Sequence, residues 1–234
     1  MIWKAPAIWE GGECFIIGGG FSMPRQFGVP EEIIQAVCER RMPETAYSEY
    51  LKPIHDKHVI GVNNAYKIGT WIDVCFFGDC SWWLLHQAML RNFPGLVVSC
   101  CPRFENRPEK QMDGVKYLAK DKEHTQGISG DPTKVSWNWN SGTAAISLAA
   151  HFGVKTIYLL GFDMQMENER FSHWHGSHRP TTQKSKKTPP FKRHLKGFST
   201  VAQDANEKGI SIYNLNPESA VEAFKKVSIK EVLG

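Results

Sequence analysis

The sequence predicts an α/β fold, with a mostly parallel sheet between two layers of helices, and three observations predict it. Short apolar runs alternate along the chain with stretches of helical pattern, as strands joined by crossover helices do. Several of those runs end in small or polar residues: Gly18-Gly19-Gly20, Asn63-Asn64, Gly78-Asp79 and Gly161-Phe162-Asp163. Open α/β sheets place their ligands past the carboxyl ends of the strands, where such loops would lie. Finally, 234 residues suffice for one full core and fall short of a two-domain prior, so the chain reads as a single domain over 1–234.

Cys14-Phe15-Ile16-Ile17 is a buried strand feeding the glycine loop, and the helix after it begins late, near Pro30-Glu31-Glu32, where proline and acids suit a first turn. His58 to Val62 and Ile72 to Phe77 are two further strands. A helix capped by Ser81 runs to Arg91, followed by the strand Leu96 to Ser99. Residues 102–139 are polar and read as an insertion or lid, with one small strand near Val115 to Leu118. An alanine-rich helix opens at Asn140-Ser141-Gly142 and leads to the strand Thr156 to Leu160. Residues 164–194 carry little periodicity; a loop that long inside a compact domain is more often a functional lid than a plain connection. A helix over 197–208, the strand Ile210 to Tyr213 and a final helix beginning near Pro217-Glu218-Ser219 complete a Rossmann-like three-layer sandwich with a long lid loop.

Composition narrows the class. No apolar run approaches the roughly 18 to 20 residues of a membrane span, and Met1 to Lys4 opens no signal-like apolar region, so a cytoplasmic protein is expected. The net charge is +4, with Lys184, Lys186, Lys187, Lys192, Arg193 and Lys196 crowded into one short segment after the histidine-rich run. That segment reads first as a solvated loop and second as a contact for nucleic acid. The six cysteines form no CxxC pair and sit in apolar runs, so buried reduced thiols are expected rather than disulfides or zinc ligands.

The chemistry concentrates in two places. Gly18, Gly19, Gly20 and Ser22 follow a strand as a nucleotide loop does, because glycine lets backbone N–H groups close on a phosphate. Asn140, Ser141 and Gly142 open a helix whose free N–H groups and positive dipole end favour an anion. Asn63 offers an amide to a base, ribose or phosphate, whereas Asn64 reads as a turn residue only. Gly161 lies in the loop past the late strand. Asp79 and Asp163 are candidate magnesium ligands or ribose acceptors, with helix capping and loop bracing as the alternatives; Asp73 reads as an edge residue. The second place is the run from Phe171 to Arg179, where His173, His175 and His178 are candidates for a general base, a phosphate donor or a metal ligand, with a surface cluster without a role as the alternative, and Arg179 or a lid lysine is the candidate phosphate partner. Their spacing matches no zinc signature. Of the tryptophans, Trp137 or Trp139, beside the Ser141 loop, is the candidate to stack on a base or sugar.

With these residues in place the chain resembles the bacterial sialyltransferases of glycosyltransferase family 42. Ile16 to Ser22 is similar to their first strand and glycine loop, Asn140-Ser141-Gly142 through Gly161-Phe162-Asp163 to their central helix, strand and loop, and Ile212 to Ser219 to their closing strand and turn. The layout is shared with hydroxymethylpterin pyrophosphokinase-like proteins and with uncharacterised phage members, whose His-Trp-His segment is the nearest match. The resemblance implies a CMP-sugar donor held by Gly19, Asn63, Ser141 and Gly142, with a lid histidine as base. Gly19 stands where the family has Asn, and the family's Gly-His-Ser aligns nearer Gly176-Ser177-His178. Three functions are therefore carried forward. The first is transfer of a sugar from a CMP- or UDP-type donor to a hydroxyl acceptor, with no further cofactor. The second is magnesium-dependent pyrophosphoryl transfer, to which Asp79 contributes. The third is a non-catalytic nucleotide-binding accessory protein.

Overall fold

The computed structural model describes residues 2–105, 114–166, 173–176 and 191–234. In chain order its elements are β1 (Glu13–Ile17), α1 (Ser22–Gln26), α2 (Glu31–Cys38), β2 (His58–Val62), β3 (Val74–Phe77), α3 (Cys80–Leu90), β4 (Leu96–Ser99), β5 (Val115–Tyr117), β6 (Ala119–Lys120), β7 (Lys134–Val135), α4 (Ser141–His151), β8 (Thr156–Leu160), α5 (Phe191–Leu195), α6 (Phe198–Glu207), β9 (Ser211–Asn214), β10 (Lys225–Lys226) and α7 (Ile229–Leu233). Eight strands make one sheet in the order β10-β9-β8-β1-β2-β3-β4-β5, and every described pairing in it is parallel. Strand order reverses between β1 and β8, and a crevice opens at the carboxyl ends of two such strands.

Both sheet faces are covered, which is why the strands are continuously apolar rather than alternating. Cys14 and Ile16 pack with Ala145 and Leu148 of α4 and Val201 of α6; Phe15 and Ile17 pack on the other side with Ile34 of α2, Tyr47 and Ile229 of α7. A third cluster joins Cys75 and Phe77 of β3 to Trp82, Trp83 and Leu90 of α3. Among the described residues no helix is long and apolar enough to cross a membrane.

The structure departs from the sequence reading at five points. A short helix, α1, follows the glycine loop before the one at Glu31. Helix α3 is capped by Asp79, not Ser81: the Asp79 carboxylate accepts from Ser81 N at 2.8 Å and from its hydroxyl at 2.9 Å. The stretch 102–139 holds the expected small strand, as the edge strand β5, but adds the small parallel pair β6–β7. Pro217-Glu218-Ser219 forms a turn, because Asn216 Oδ1 takes Glu218 N at 3.0 Å and Asn216 O takes Ser219 N at 3.1 Å; the last helix waits until Ile229. Finally, Cys80 and Cys101 form a disulfide, their Cα atoms 5.5 Å apart, whereas Cys14, Cys38, Cys75 and Cys100 are buried free thiols. The pairing follows from topology: β3 and β4 are parallel neighbours, and both cysteines lie just past their shared carboxyl rim.

Candidate functional site

Two glycine-bearing turns meet at the reversal point. Gly18 N donates to Leu160 O and Gly20 N to Gly161 O, each at 2.8 Å, which stitches the loop after β1 to the loop after β8. Gly161 takes φ +66°, a left-handed conformation suited to glycine. Asp163 then braces the turn. Its Oδ2 accepts from Ser22 N at 3.0 Å, and its Oδ1 accepts from the Ser22 hydroxyl and from Asn216 Nδ2, the latter at 2.8 Å.

Phe162, 1 % exposed, lies between this loop and the start of α4. A Cβ on Gly142 would stand 2.7 Å from its ring and one on Gly18 3.2 Å, so the two glycines admit the aromatic wedge that holds both loops together. Helix α4 is capped by Asn140, whose Oδ1 accepts from Gly142 N at 2.8 Å, while Thr143 Oγ1 donates to Asn140 O at 2.9 Å. Ser141 sits half-buried in the first turn.

The described part of the second lid, residues 173–176, straps across the glycine loop. Trp174 is fully buried: its amide donates to Gly19 O at 3.0 Å and its indole Nε1 to Gly18 O at 2.8 Å. Its own carbonyl accepts from the Tyr47 hydroxyl at 3.0 Å and the Cys38 thiol at 3.1 Å. Burial pushes the Cys38 thiol up to about 11, so it serves as a neutral donor. The flanking histidines stack on each other, centroids 5.1 Å apart and planes 21° from parallel. His173 covers Gly19 so closely that a Cβ there would come within 2.4 Å of its Cδ2.

From β2 comes the other wall. Asn63 adopts φ +52°, and its buried Oδ1 has no hydrogen-bond partner among the described residues. Asn64, 7 % exposed, accepts from Trp82 Nε1 at 2.7 Å and reaches His175 Nδ1 at 3.3 Å.

The structure thus gathers Gly18, Gly19, Gly20, Ser22, Gly161, Asp163, His173 and His175 at the rim between β1 and β8, with Gly142 tied in through Phe162. Asp79 lies at the start of α3 with one carboxylate oxygen engaged in the cap. Both oxygens of Asp163 accept hydrogen bonds within the site, and among the described residues no group of three or more His, Cys, Asp or Glu is placed to hold a metal. His178, Arg179, Lys184, Lys186 and Lys187 fall outside the described residues.

Sequence reasoning missed Asn64 and Trp82. A paired Asn after a strand is signal enough to test both, but nothing local says which faces the site. The two candidate tryptophans separate clearly. Trp137 is packed, with Lys120 Nζ 3.7 Å from its ring centroid, whereas Trp139 is 43 % exposed next to the Asn140 cap. Asn138 and Trp139 both take left-handed backbone, and Asn138 is pinned by bonds to Gly127 N at 2.9 Å and to Gly127 O and Ser136 O at 3.2 Å. Strain of this kind persists only where its surroundings over-determine it.

The fold is shared with solved sialyltransferases. The sialyltransferase CstII from Campylobacter jejuni, in complex with the substrate analogue cytidine-5'-monophosphate, aligns with a TM-score of 0.51 and 14 % identity over 94 % of this chain and 86 % of that one. The monofunctional alpha-2,3-sialyltransferase Cst-I from Campylobacter jejuni gives 0.53 and 15 %, over 94 % and 81 %. At these identities the likeness is one of fold. No protein-family model matches the chain, and no curated protein sequence does.

Proposed function

We propose that this chain is a nucleotide-sugar-dependent glycosyltransferase of sialyltransferase type, moving a sugar from a CMP- or UDP-type donor to a hydroxyl acceptor. The observation that carries the reading is the histidine strap: the His173 imidazole lies over Gly19 at the strand-order reversal with His175 stacked on it, where a bound phosphate and a proton acceptor would be needed together. In the reaction the acceptor oxygen bonds to the anomeric carbon, and the bond from that carbon to the donor's phosphate oxygen breaks. The electron pair leaves with the nucleotide phosphate, and the acceptor proton passes to a strap histidine. The backbone N–H groups of Gly19 and Ser141 hold the phosphate, while those of Gly18, Gly20 and Gly142 tie the loops that present them. Asn63 contributes its unpaired amide oxygen to a ribose hydroxyl or base amino group, and Trp139 stacks on a sugar or base face.

Thermal-shift measurements with CMP, UDP and ATP, each with and without magnesium, test the reading. Protection by CMP or UDP in the absence of metal is the expected result. Protection by ATP only with magnesium would replace it with pyrophosphoryl transfer. No protection by any nucleotide, with salt-sensitive DNA binding, would leave an accessory binding protein.

A further inference from the structure

We infer that the outer face of α3 is a self-association surface, on which a second copy of this chain packs its own α3 antiparallel about a two-fold axis. The inference does not depend on the transferase reading.

Surface helices ordinarily turn a charged face to water. Helix α3, Cys80–Leu90, contains no Asp, Glu, Lys or Arg. Its inner face is accounted for: Trp82 and Trp83 pack on Phe77 with ring centroids 4.9 and 5.5 Å away, and Leu90 joins the same cluster. The opposite face is apolar as well. Leu84 is 49 % exposed, Leu85 60 % and Met89 46 %, and with the exposed Ala88 they form one stripe over two turns. The other exposed large apolar side chains among the described residues all lie on turns and loops. Apolar groups gathered in this way mark an interaction site. The chain's own internal stretches outside the described residues, 106–113, 167–172 and 177–190, are polar in sequence and offer only Met112 and Phe171 as large apolar side chains, so they supply no apolar segment to cover the stripe.

Charge at the helix ends selects the second copy and its direction. Asp79 caps the amino end and Arg91 closes the carboxyl end; both are exposed, and neither enters an ion pair among the described residues. A two-fold axis across the middle of the stripe sets Leu84 against the partner's Met89 and Leu85 against the partner's Ala88. The same axis sets Arg91 opposite the partner's Trp82, about 4.5 Å along the helix from Asp79 at ~1.5 Å per residue. The Asp79 carboxylate leans onto the stripe, since it accepts from the Ser81 hydroxyl at 2.9 Å, and Ser81 stands on the same face one turn before Leu84 and Leu85. An arginine spans that gap, so each copy's Arg91 meets the other's Asp79, and the symmetry forms the pair twice. A parallel arrangement would oppose like charges and like helix dipoles. The Cys80–Cys101 bond and the packed tryptophans hold the face rigid before it binds.

Two turns of helix make a small interface, of the size that sustains weak complexes, so a dissociation constant of about 10–100 µM is expected. In sedimentation velocity of the full chain, the mean mass should rise from 26.5 kDa toward twice that between about 1 and 300 µM. Leu85→Glu brings two carboxylates together near the axis and leaves the core alone, because this side chain is already mostly in water. It should weaken association about 100-fold or more with an unchanged melting temperature. Arg91→Glu turns both end pairs repulsive and should weaken it about 10-fold. A chain that stays monomeric throughout the range, or a dimer that Leu85→Glu leaves as tight as before, overturns the inference. Monomers that instead co-sediment with phosphatidylglycerol vesicles, in a way Leu85→Glu abolishes, give the face to a lipid surface and overturn it equally. If Leu85→Glu fails to fold, Arg91→Glu decides: undiminished association overturns the antiparallel packing.

Discussion

Replacing Trp174 with Phe tests whether the strap is seated as described. The change keeps an aromatic ring in the fully buried space but removes the N–H that donates to Gly18 O at 2.8 Å. A buried carbonyl stripped of its donor costs about 1–3 kcal/mol, and the smaller ring leaves a void worth on the order of 1 kcal/mol more. The expected loss is about 2–3 kcal/mol, and about 3–5 kcal/mol for Trp174→Ala. Because the strap can lift away by itself, two readouts are needed. Urea denaturation reports the whole fold, and hydrogen exchange at the Trp174 amide, bonded to Gly19 O at 3.0 Å, reports the strap alone. A loss of about 2 kcal/mol appears as roughly 30-fold less protection. Turnover should fall with it, since both histidines lose their seat. If Trp174→Phe changes stability and amide protection by less than about 0.5 kcal/mol, the level of an inconsequential surface change, the seating is wrong and so is the site built on it.

Three further outcomes follow from single features. Asn63→Gly relieves the left-handed backbone at φ +52° and deletes the orphaned amide oxygen, so the protein should be as stable or up to about 1 kcal/mol more stable while CMP binding weakens; unchanged affinity by calorimetry would remove Asn63 from the site. Cys80→Ser should lower stability by about 2–4 kcal/mol, and titration of the unreduced denatured chain should count four thiols rather than the six found after reduction; six before reduction would refute the bridge. Burial of His151 lowers its pKa below the ordinary 6.5, while its Nε2 meets Lys134 O at 2.8 Å. The unfolded chain therefore takes the proton first as pH falls. Stability is full above 6.5 and declines from there down through the folded pKa, and His151→Gln should flatten that decline in denaturation curves taken across the window.

How much of this was legible in the sequence depends on whether the cause is local. The run Cys14 to Ile17 ends at three glycines, and only a buried strand and a close-approach turn suit those residues, so β1 and its loop could be read directly. The helix opening at Asn140-Ser141-Gly142 was equally plain, because its alanine-rich run is a local signal, whereas the Asn140 cap itself is seen in the structure. Asp79 and Asp163 show the limit. Both were recognised as post-strand carboxylates, yet whether such a group binds a ligand or ties its own backbone depends on partners such as Asn216, 53 residues away. The Cys80–Cys101 bond was hidden for the same reason: only the adjacency of β3 and β4 turns a separation of 21 residues into a contact. Pro217 misled because proline favours a helix start as readily as a turn, and Asn216 settled the matter by taking Glu218 N.

The histidine run was legible as chemistry but not as geometry, and Trp174 is what converts one into the other. It is the largest fully buried side chain among the described residues, and it is fixed at its amide, its carbonyl and its indole nitrogen. Driving that one residue into the core leaves its two neighbours stacked on each other against the glycine loop. Gly176, at φ +75° and so near Cys38 O that a Cβ would lie 2.4 Å away, then turns the chain off against α2. The apolar residue between the histidines is therefore the positioning element: hydrophobic burial orders the strap, and that order sets the His173–His175 spacing and brings His175 Nδ1 to Asn64. A pair of histidines without the tryptophan would keep the same titratable groups and lose that arrangement.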